Sequence, residues 1–178
     1  MRTLLVLGHY DDEAIACPQY LIDHPGSTVF VACGDDPKRQ EAFYQVMDDT
    51  LCHSLLGGFK PLDLRWSDVP ALAKAIDATI GCTGIDRVIT HHPDDVHFEH
   101  KIVSNAVQVA LRRRPDVELF FVRNPEGFPF ENAVNTSWDT VVRRTDDARQ
   151  LVMHYDNINR PEDDTYEYYQ TVRRLSMP

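Results

Sequence analysis

Apolar runs and segments with helical spacing alternate through the first 122 residues of the chain. A strand that is buried on both faces of a parallel sheet is apolar along its whole length. Such runs predict strands at residues 3–8, 27–32, 62–66, 85–90 and 117–122. Apolar positions at helical intervals predict helices at residues 13–21, 38–56, 69–80 and 102–111. Gly57 and Gly58 mark the predicted end of the second helix.

This alternation predicts an α/β fold, in which a Rossmann-like, mostly parallel sheet is flanked by helices and joined by right-handed crossovers. The pattern weakens after the fifth strand, where it predicts a strand at 138–142 and helices at 146–155 and 162–175. No repeat, low-complexity tract or linker divides the chain. We therefore predict a single domain over residues 1–178, with an α/β core at 1–122.

The charge balance narrows the range of partners. The chain has 18 Lys and Arg against 28 Asp and Glu, a formal net charge of −10. An acidic surface repels nucleic acid backbones and anionic membranes, so we expect no nucleic acid partner and no membrane association. Basic residues cluster only at Arg112, Arg113 and Arg114, where a predicted helix ends and positive charge stabilises the helix dipole.

The cysteines are scattered along the chain, at positions 17, 33, 52 and 82. No C-x-x-C pair occurs among them, which argues against a structural zinc site, and nothing suggests a disulfide framework. The sequence has neither a signal-peptide pattern nor an apolar stretch of the roughly 20 residues that a membrane span needs. We predict a cytoplasmic protein with reduced thiols.

Two polar clusters follow predicted strands. His9, Asp11, Asp12 and Glu13 come directly after the first strand, and four of the eight histidines lie in residues 91–100, directly after the fourth. The carboxyl ends of parallel strands meet at one edge of a sheet, where ligands bind. Imidazole and carboxylate groups suit zinc and other first-row divalent metals. The two clusters therefore predict a metal site.

Simpler interpretations exist for each cluster taken alone. Acidic residues after a strand also cap the first turn of a helix, and loop histidines are also found exposed to solvent. The occurrence of both clusters at strand ends of one predicted sheet favours a site. No G-x-G-x-x-G follows the first strand, and two adjacent carboxylates there would repel a pyrophosphate, so a dinucleotide cofactor is disfavoured.

Two motifs resemble those of the LmbE-like, or PIG-L, family of metal-dependent de-N-acetylases. That family has a His-Pro-Asp-Asp-Glu signature after its first strand and a His-x-x-His element after a later one. This chain has His9-Tyr10-Asp11-Asp12-Glu13 and His97-Phe98-Glu99-His100. The resemblance covers residues 1–112 and continues weakly through residue 155.

The resemblance implies a role for each matched residue. The metal ligands would be His9, Asp12 and His100, and the ion would be Zn²⁺ or another divalent transition metal. Asp11 would be the general base and His97 would stabilise the oxyanion. Glu99 stands where the family has Asp and would orient His97 from outside the ligand set. Arg39 matches a family arginine associated with substrate binding.

The chain also departs from the family pattern. Tyr10 replaces the usual Pro, which would change the stiffness of the loop or place a phenol at the mouth of the site. Ala16-Cys17-Pro18-Gln19 replaces a glycine-rich helix start, so backbone packing there is expected to differ. By the same resemblance, the C-terminal portion, residues 123–178, would shape the substrate pocket.

The predicted function is hydrolysis of an N-acetyl or other N-acyl group from an amino sugar or a related small conjugate, by metal-activated water with Asp11 as base. Two alternatives stay open at this point. One is a hydrolase of another acyl amide, such as a modified nucleotide precursor. The other is a non-catalytic α/β binding module that retains the motifs. The expected partner is a small N-acylated molecule, and an oligomer is possible.

Overall fold

The computed structural model describes residues 1–125, 137–155 and 165–172. Within these ranges, seven strands form one sheet in the order β3-β2-β1-β4-β5-β7-β6. The strands are β1 (Thr3–His9), β2 (Thr28–Cys33), β3 (His53–Phe59), β4 (Arg87–His91), β5 (Glu118–Val122), β6 (Thr140–Arg143) and β7 (Tyr166–Val172). The first five are parallel, whereas β7 pairs antiparallel with both β5 and β6. The predicted α/β class with a mostly parallel sheet is confirmed.

Helices cover both faces of the sheet. They are α1 (Asp12–Ala16), α2 (Pro18–Asp23), α3 (Pro37–Thr50), α4 (Val69–Thr83), α5 (Phe98–Ala110) and α6 (Asp146–Gln150), with 3₁₀ turns at Trp66–Asp68, Leu111–Arg113 and Leu151–His154. Leu4 and Val6 of β1 pack in the cluster that contains α4 and α5, and Leu5 and Leu7 pack in the cluster that contains α1, α2 and α3. Because both faces are covered, β1 is apolar along its length. No helix in the described part of the chain is long and apolar enough to span a bilayer.

The third strand lies elsewhere than predicted. The predicted helix 38–56 ends at Thr50, because Leu51 takes a left-handed conformation with φ 55°. Residues His53–Phe59 then form β3, and the predicted strand at 62–66 is wrong. β3 is an edge strand whose side chains are largely exposed or half-buried, so it lacks the continuous apolar run that marks a central strand. Only glycine fits at position 57, because a Cβ there would lie 2.8 Å from the carbonyl oxygen of Ala32.

Two predicted helices also differ. The helix predicted at 13–21 is divided at Cys17 into α1 and α2, since Pro18 has no N–H to continue the hydrogen-bond ladder. In the helix predicted at 162–175, the described residues form strand β7, so that prediction is wrong; 162–164 and 173–175 lie outside the described residues. Glu167 and Tyr169 are buried while their neighbours are more exposed, which is the two-residue period of a strand.

The antiparallel pair of β6 and β7, with Arg144 directly after β6, holds the junction between α1 and α2 in place, and we call it the C-terminal hairpin. Arg144 donates from Nη2 to the carbonyl oxygen of Ile15 over 2.6 Å, at the end of α1. Glu167 accepts from the backbone N–H of Tyr20 over 3.2 Å and also from that of Gln19, at the start of α2. The described hairpin residues thus anchor the segment that directly follows the His9–Glu13 loop. The pocket-shaping role of residues 123–178 stays a prediction.

Candidate metal centre and active-site cavity

His9, Asp12 and His100 meet at the carboxyl edge of the sheet. His9 ends β1, Asp12 opens α1, and His100 lies in the first turn of α5. The Nδ1 atom of His9 is 3.3 Å from Nε2 of His100 and 3.7 Å from Oδ2 of Asp12. The Nε2 atom of His100 is 3.4 Å from the same carboxylate oxygen. Two segments that are 90 residues apart therefore bring three donor atoms to one point.

The remaining nitrogen of each imidazole is held by a carboxylate. Nε2 of His9 donates to Glu99 over 2.8 Å, and Nδ1 of His100 donates to Asp95 over 3.0 Å. The other nitrogen of each ring, Nδ1 of His9 and Nε2 of His100, then faces Asp12. In a tetrahedral zinc site with bonds of ~2.1 Å, ligand atoms are ~3.4 Å apart. The three separations fit a divalent ion bound by two imidazoles and a carboxylate.

The charges at this point are consistent with cation binding. Burial would raise the pKa of Asp12, but His100 and His91 outweigh it and hold the pKa well below its usual value. Burial would lower the pKa of His100, but Asp12 and Asp95 raise it to about 10. Without a metal ion, a proton on His100 supplies the positive charge that Asp12 requires. A bound metal would take over this role and release the proton.

The backbone leaves room for this arrangement only because residue 8 is glycine. A Cβ on Gly8 would lie 2.7 Å from Cδ2 of His100 and 3.2 Å from Oδ2 of Asp12. The N–H of Gly8 donates to Nε2 of His91 over 2.9 Å, and the His91 ring stacks on His100 with 3.8 Å between centroids. His91 is therefore a buried residue that packs against the His100 ring.

Other donor groupings occur among the described residues: His9 with His97 and His100, Asp12 with His91 and His100, and His9 with Cys33 and Glu99. Two of these are weaker candidates. The lone pair on Nε2 of His91 already accepts from Gly8. Burial, helped by Glu99, raises the pKa of the Cys33 thiol to about 12, so the thiolate that a metal requires does not form at neutral pH. Two sets are left among the described residues, His9 with Asp12 and His100 and His9 with His97 and His100, and only the first includes a carboxylate.

A cavity of about 430 Å³ opens over this centre. Its lining contains every site residue that the sequence predicted: His9, Asp11, Asp12, Arg39, His97, Glu99 and His100. Pro61, Leu62 and Val96 complete the lining. Burial, together with His100 and His9, lowers the pKa of His97, so this imidazole is neutral at neutral pH.

Asp11 is held in a strained conformation beside the centre. Its φ of 102° is one that L-residues rarely adopt, and its backbone N–H donates to Glu13 over 3.1 Å. Glu13 is fully buried and its other oxygen accepts from the hydroxyl of Tyr155. The Asp11 carboxylate accepts from Nη1 of Arg39 over 2.8 Å. Strain of this kind is retained where the surrounding structure enforces it, often at functional sites.

The partner of Glu99 differs from the sequence-based expectation. Glu99 was expected to orient His97, but its Oε2 accepts from His9, while its Oε1 accepts from the backbone N–H of Leu64 over 3.3 Å. The reason is geometric: α5 begins at Phe98, so Glu99 and His97 project in different directions from the helix start. Glu99 therefore orients His9, a candidate ligand, instead of His97.

Tyr10 also differs from one of its expectations. Its ring is buried rather than placed at the mouth of the site, and it packs on Phe43 with 5.4 Å between ring centroids. Gly34 makes this possible, since a Cβ there would lie 2.1 Å from the Tyr10 ring. The Tyr10 ring therefore lies in the core against α3, and the expected change in loop stiffness stays a prediction.

Sequence reasoning missed two residues that hold the side chains of the candidate metal centre in place. Asp95 is fully buried and accepts from both His100 and the backbone N–H of His97, the latter over 2.7 Å. Asn124 donates to Oδ1 of Asp12 over 2.6 Å. The available signal was position: Asp95 lies within the histidine-rich segment, and Asn124 follows β5 at the same edge of the sheet.

The comparisons with known proteins bear on the fold. No protein-family model matches the sequence. No curated protein matches it either. Solved structures match over nearly the whole chain. A triple mutant of a deacetylase from the teicoplanin biosynthetic pathway is 15% identical, with 99% of this chain and 100% of that chain covered and a TM-score of 0.76. A zinc-inhibited form of the teicoplanin deacetylase aligns with a TM-score of 0.74.

Two further structures extend the comparison. The N,N′-diacetylchitobiose deacetylase of Pyrococcus horikoshii is 10% identical, with 97% of this chain and 84% of that chain covered and a TM-score of 0.67. The 4-carboxy-2-hydroxymuconate hydratase of Pseudomonas putida is 13% identical, with 100% and 99% covered and a TM-score of 0.64. At these identities the match concerns the fold, which is the LmbE-like deacetylase fold. Because the same fold also carries a hydratase, the reaction must be argued from the site.

Proposed function

We propose that this protein is a metal-dependent hydrolase that removes an N-acetyl or other N-acyl group from an amino sugar or a related small conjugate. The observation that carries the proposal is the convergence of His9, Asp12 and His100 in a cavity that also contains a carboxylate outside the ligand set, Asp11. A bound cation next to a separate proton acceptor is the arrangement that metal-dependent amide hydrolysis uses.

His9, Asp12 and His100 would hold the metal, and Zn²⁺ or another divalent transition metal suits these ligands. When bound, the ion supplies Lewis acidity, which polarises the amide carbonyl and makes water acidic enough to react near neutral pH. Asp95 and Glu99 orient the two imidazoles, and Asn124 orients the Asp12 carboxylate. Such outer contacts raise ligand basicity and fix ring orientation.

Asp11 moves the proton. It accepts a proton from the attacking water as the oxygen adds to the carbonyl carbon, and it returns this proton to the nitrogen as the C–N bond breaks. The products are a carboxylic acid and a free amine. Arg39 holds the Asp11 carboxylate in the cavity through their 2.8 Å ion pair. Since the Arg39 side chain is still 45% exposed, it can also contact the polar part of a substrate.

His97 opposes the charge that develops on the carbonyl oxygen. It lines the cavity next to His9 and His100, with ring centroids 4.8 Å and 4.4 Å away. As a neutral imidazole it can donate one N–H to the oxyanion without taking the proton that Asp11 carries. Loss of one such donor typically reduces turnover by roughly 10²–10³.

The sugar-conjugate substrate class is supported by the cavity and by the neighbours' names. The cavity is open and of the size of small-ligand sites, for which ~300–1,000 Å³ is usual. Three of the matched structures are deacetylases named for teicoplanin or diacetylchitobiose. A hydratase is the competing enzyme class, because one neighbour has that activity. Hydration of a carbon–carbon double bond releases neither acid nor amine.

The test is release of acetate and free amine from N-acetylglucosamine and diacetylchitobiose by protein loaded with Zn²⁺, Mn²⁺ or Co²⁺. We expect both products in equal amounts, and we expect Asp11→Asn to retain metal but lose turnover. The matched control is His154→Gln, which changes a histidine outside the cavity. Stoichiometric metal without product from any N-acyl substrate contradicts the proposal. Absence of bound metal, with Asp11→Asn unchanged in every assay, favours the non-catalytic module.

A further inference from the structure

The lining of the cavity contains both charged and apolar side chains. Arg39 pairs there with the carboxylate of Asp11. Pro61, Leu62 and Val96 are its apolar members, and Leu62 and Val96 are 75% and 58% exposed. Apolar side chains of this exposure scattered singly need no explanation, but these line one cavity.

Two exposed aromatic rings follow the apolar lining residues closely in the chain. Trp66 and Phe98 pack edge to face with 6.1 Å between centroids, and they are 51% and 45% exposed. Trp66 follows the loop that carries Leu62, and Phe98 follows His97 directly at the start of α5. We name Pro61, Leu62, Trp66, Val96 and Phe98 the apolar rim.

The loop that carries Leu62 is held in a defined conformation. Leu62 has a φ of 66°, in the left-handed region that a leucine rarely adopts. Its carbonyl oxygen accepts from Nη1 of Arg65 over 2.5 Å, and the N–H of Leu64 donates to Glu99 over 3.3 Å. Glu99 is the carboxylate that orients His9. The loop that carries Leu62 is therefore hydrogen-bonded to the same carboxylate as His9. These contacts give the exposed Leu62 side chain a defined position.

We propose that the apolar rim is a subsite for an apolar group of the substrate, of several carbons or with an aromatic ring, next to the scissile amide. This inference rests on the proposed function, which places the amide carbonyl beside His9, Asp12 and His100. The single methyl group of an acetyl is too small to cover the exposed surfaces of Leu62, Val96, Trp66 and Phe98. The apolar group is either an acyl chain longer than acetyl or an apolar aglycone on the amine side.

The experiment compares two substrate series at saturating metal. One lengthens the acyl group of glucosamine from acetyl to butanoyl and hexanoyl, and the other keeps N-acetylglucosamine and changes its glycoside from methyl to butyl and phenyl. We expect kcat/KM to rise by tenfold or more along one series, mainly through KM. The series that rises identifies which part of the substrate lies on the rim.

Variants test whether the rise in kcat/KM depends on the apolar rim. Leu62→Asn removes the apolar side chain while keeping a residue that tolerates a left-handed backbone, and Trp66→Ser removes an aromatic ring. We expect the ratio of kcat/KM between the longest and shortest substrates to fall by fivefold or more in each. The matched control is Leu51→Asn, since Leu51 is also left-handed, with φ 55°, and 72% exposed, but is absent from the cavity lining. Its ratio should equal that of the wild type.

Three outcomes would overturn the inference. In the first, neither series gains over its smallest member. In the second, the variants keep the wild-type ratio. In the third, Leu62→Asn and Trp66→Ser convert a wild-type dimer to a monomer in sedimentation while the ratio stays unchanged, so that the rim is an interface between copies.

A binding measurement distinguishes a failure of this inference from a failure of the proposed function. Tryptophan fluorescence titrations of the metal-free protein measure binding without turnover, with methyl and phenyl N-acetylglucosaminides as one pair and N-acetyl- and N-hexanoylglucosamine as the other. Tighter binding of the larger compound in one pair, lost in Leu62→Asn, supports the rim even if no amide is cleaved. Equal binding within both pairs counts against it.

Discussion

Two buried charged clusters can be compared in this molecule. One joins Arg144, which follows β6, and Glu167, which lies in β7, to the end of α1 and the start of α2. The other joins His9, Asp12 and His100 at the carboxyl edge of the sheet. In the first cluster the charged groups face backbone N–H and C=O groups, which they cap. In the second the donor atoms face one another across a point that opens to a cavity.

The difference shows that buried charge alone does not identify a functional site. Groups that satisfy helix ends have a structural explanation. At the other cluster, two imidazole nitrogens and a carboxylate converge, and the neighbouring Asp11 has φ 102°. We therefore expect changes to the hairpin cluster to affect the free energy of unfolding, and changes to the metal centre to affect metal binding and turnover.

The largest effect is expected for Asp12→Asn. It removes the charged ligand and leaves His9 and His100 without their shared carboxylate, so we expect loss of metal and a fall in kcat/KM on the order of 10³ or more. Metal analysis after gel filtration and amine release measure both. The control is Asp94→Asn, which changes an 83% exposed carboxylate close in sequence to the site. Wild-type metal content in Asp12→Asn would contradict the proposed ligand set.

The next effect is expected for Arg144→Met. It leaves Glu167 buried without its cationic partner and the carbonyl oxygen of Ile15 without its donor, which typically costs about 3–5 kcal/mol of unfolding free energy. Urea unfolding in the presence of a chelator measures the loss. Metal affinity of the folded variant should stay within about threefold of the wild type. A large loss of affinity with unchanged stability would place this pair in the site.

The pH dependence of stability distinguishes Glu13 from an ordinary carboxylate. Burial raises the pKa of Glu13 to about 7 in the folded state, whereas the unfolded chain titrates near its ordinary value of 4.5. Between these values the folded state holds the extra proton, so stability falls as pH rises through this window. Histidines with lowered pKa values, His91, His92 and His97, act in the opposite sense below pH 6.5. The comparison must therefore be made against a variant.

Glu13→Gln isolates this contribution, because the histidines are common to both proteins. From pH 5 to pH 8, the unfolding free energy of the variant relative to the wild type should shift in its favour by up to about 3 kcal/mol. Thermal unfolding with a chelator at several pH values measures it. Glu41→Gln, an exposed change on α3, should show no such shift. A shift of the opposite sign would mean that Glu13 is ionised in the folded protein.

The sequence predicted the parts of the fold and site where burial follows directly from position, such as strands that are covered on both faces. β1 and β4 are buried on both faces and read as apolar runs, and the polar clusters after them identify the edge of the sheet. β3 was missed because an edge strand has exposed side chains, and β7 because alternating Tyr and Glu residues also suit a helix. The hydrogen bond of Asn124 to Asp12 depends on which strands are neighbours in the sheet, and the hydrogen bond of Glu99 to His9 depends on how the imidazole ring is oriented. The local spacing of residues in the sequence does not determine either of these.

The smallest predicted effect separates the two interpretations of Glu99. If it orients His9, as the 2.8 Å contact indicates, Glu99→Gln weakens metal binding by about 10- to 100-fold. The kcat at saturating metal then falls far less. If instead it served His97, metal affinity would be unchanged and kcat would carry the whole effect, because His97 is not among the proposed ligands.

Asp95→Asn provides the parallel case on the other imidazole, since Asp95 holds Nδ1 of His100 over 3.0 Å. We expect a loss of metal affinity of the same size, about 10- to 100-fold, because both carboxylates fix a ring and raise its basicity. Competition with a chromogenic chelator measures both affinities. Glu118→Gln, on a 53% exposed carboxylate that pairs with Arg87, should leave the affinity unchanged. A loss in Asp95→Asn without one in Glu99→Gln would leave His100 as a ligand and remove His9 from the set.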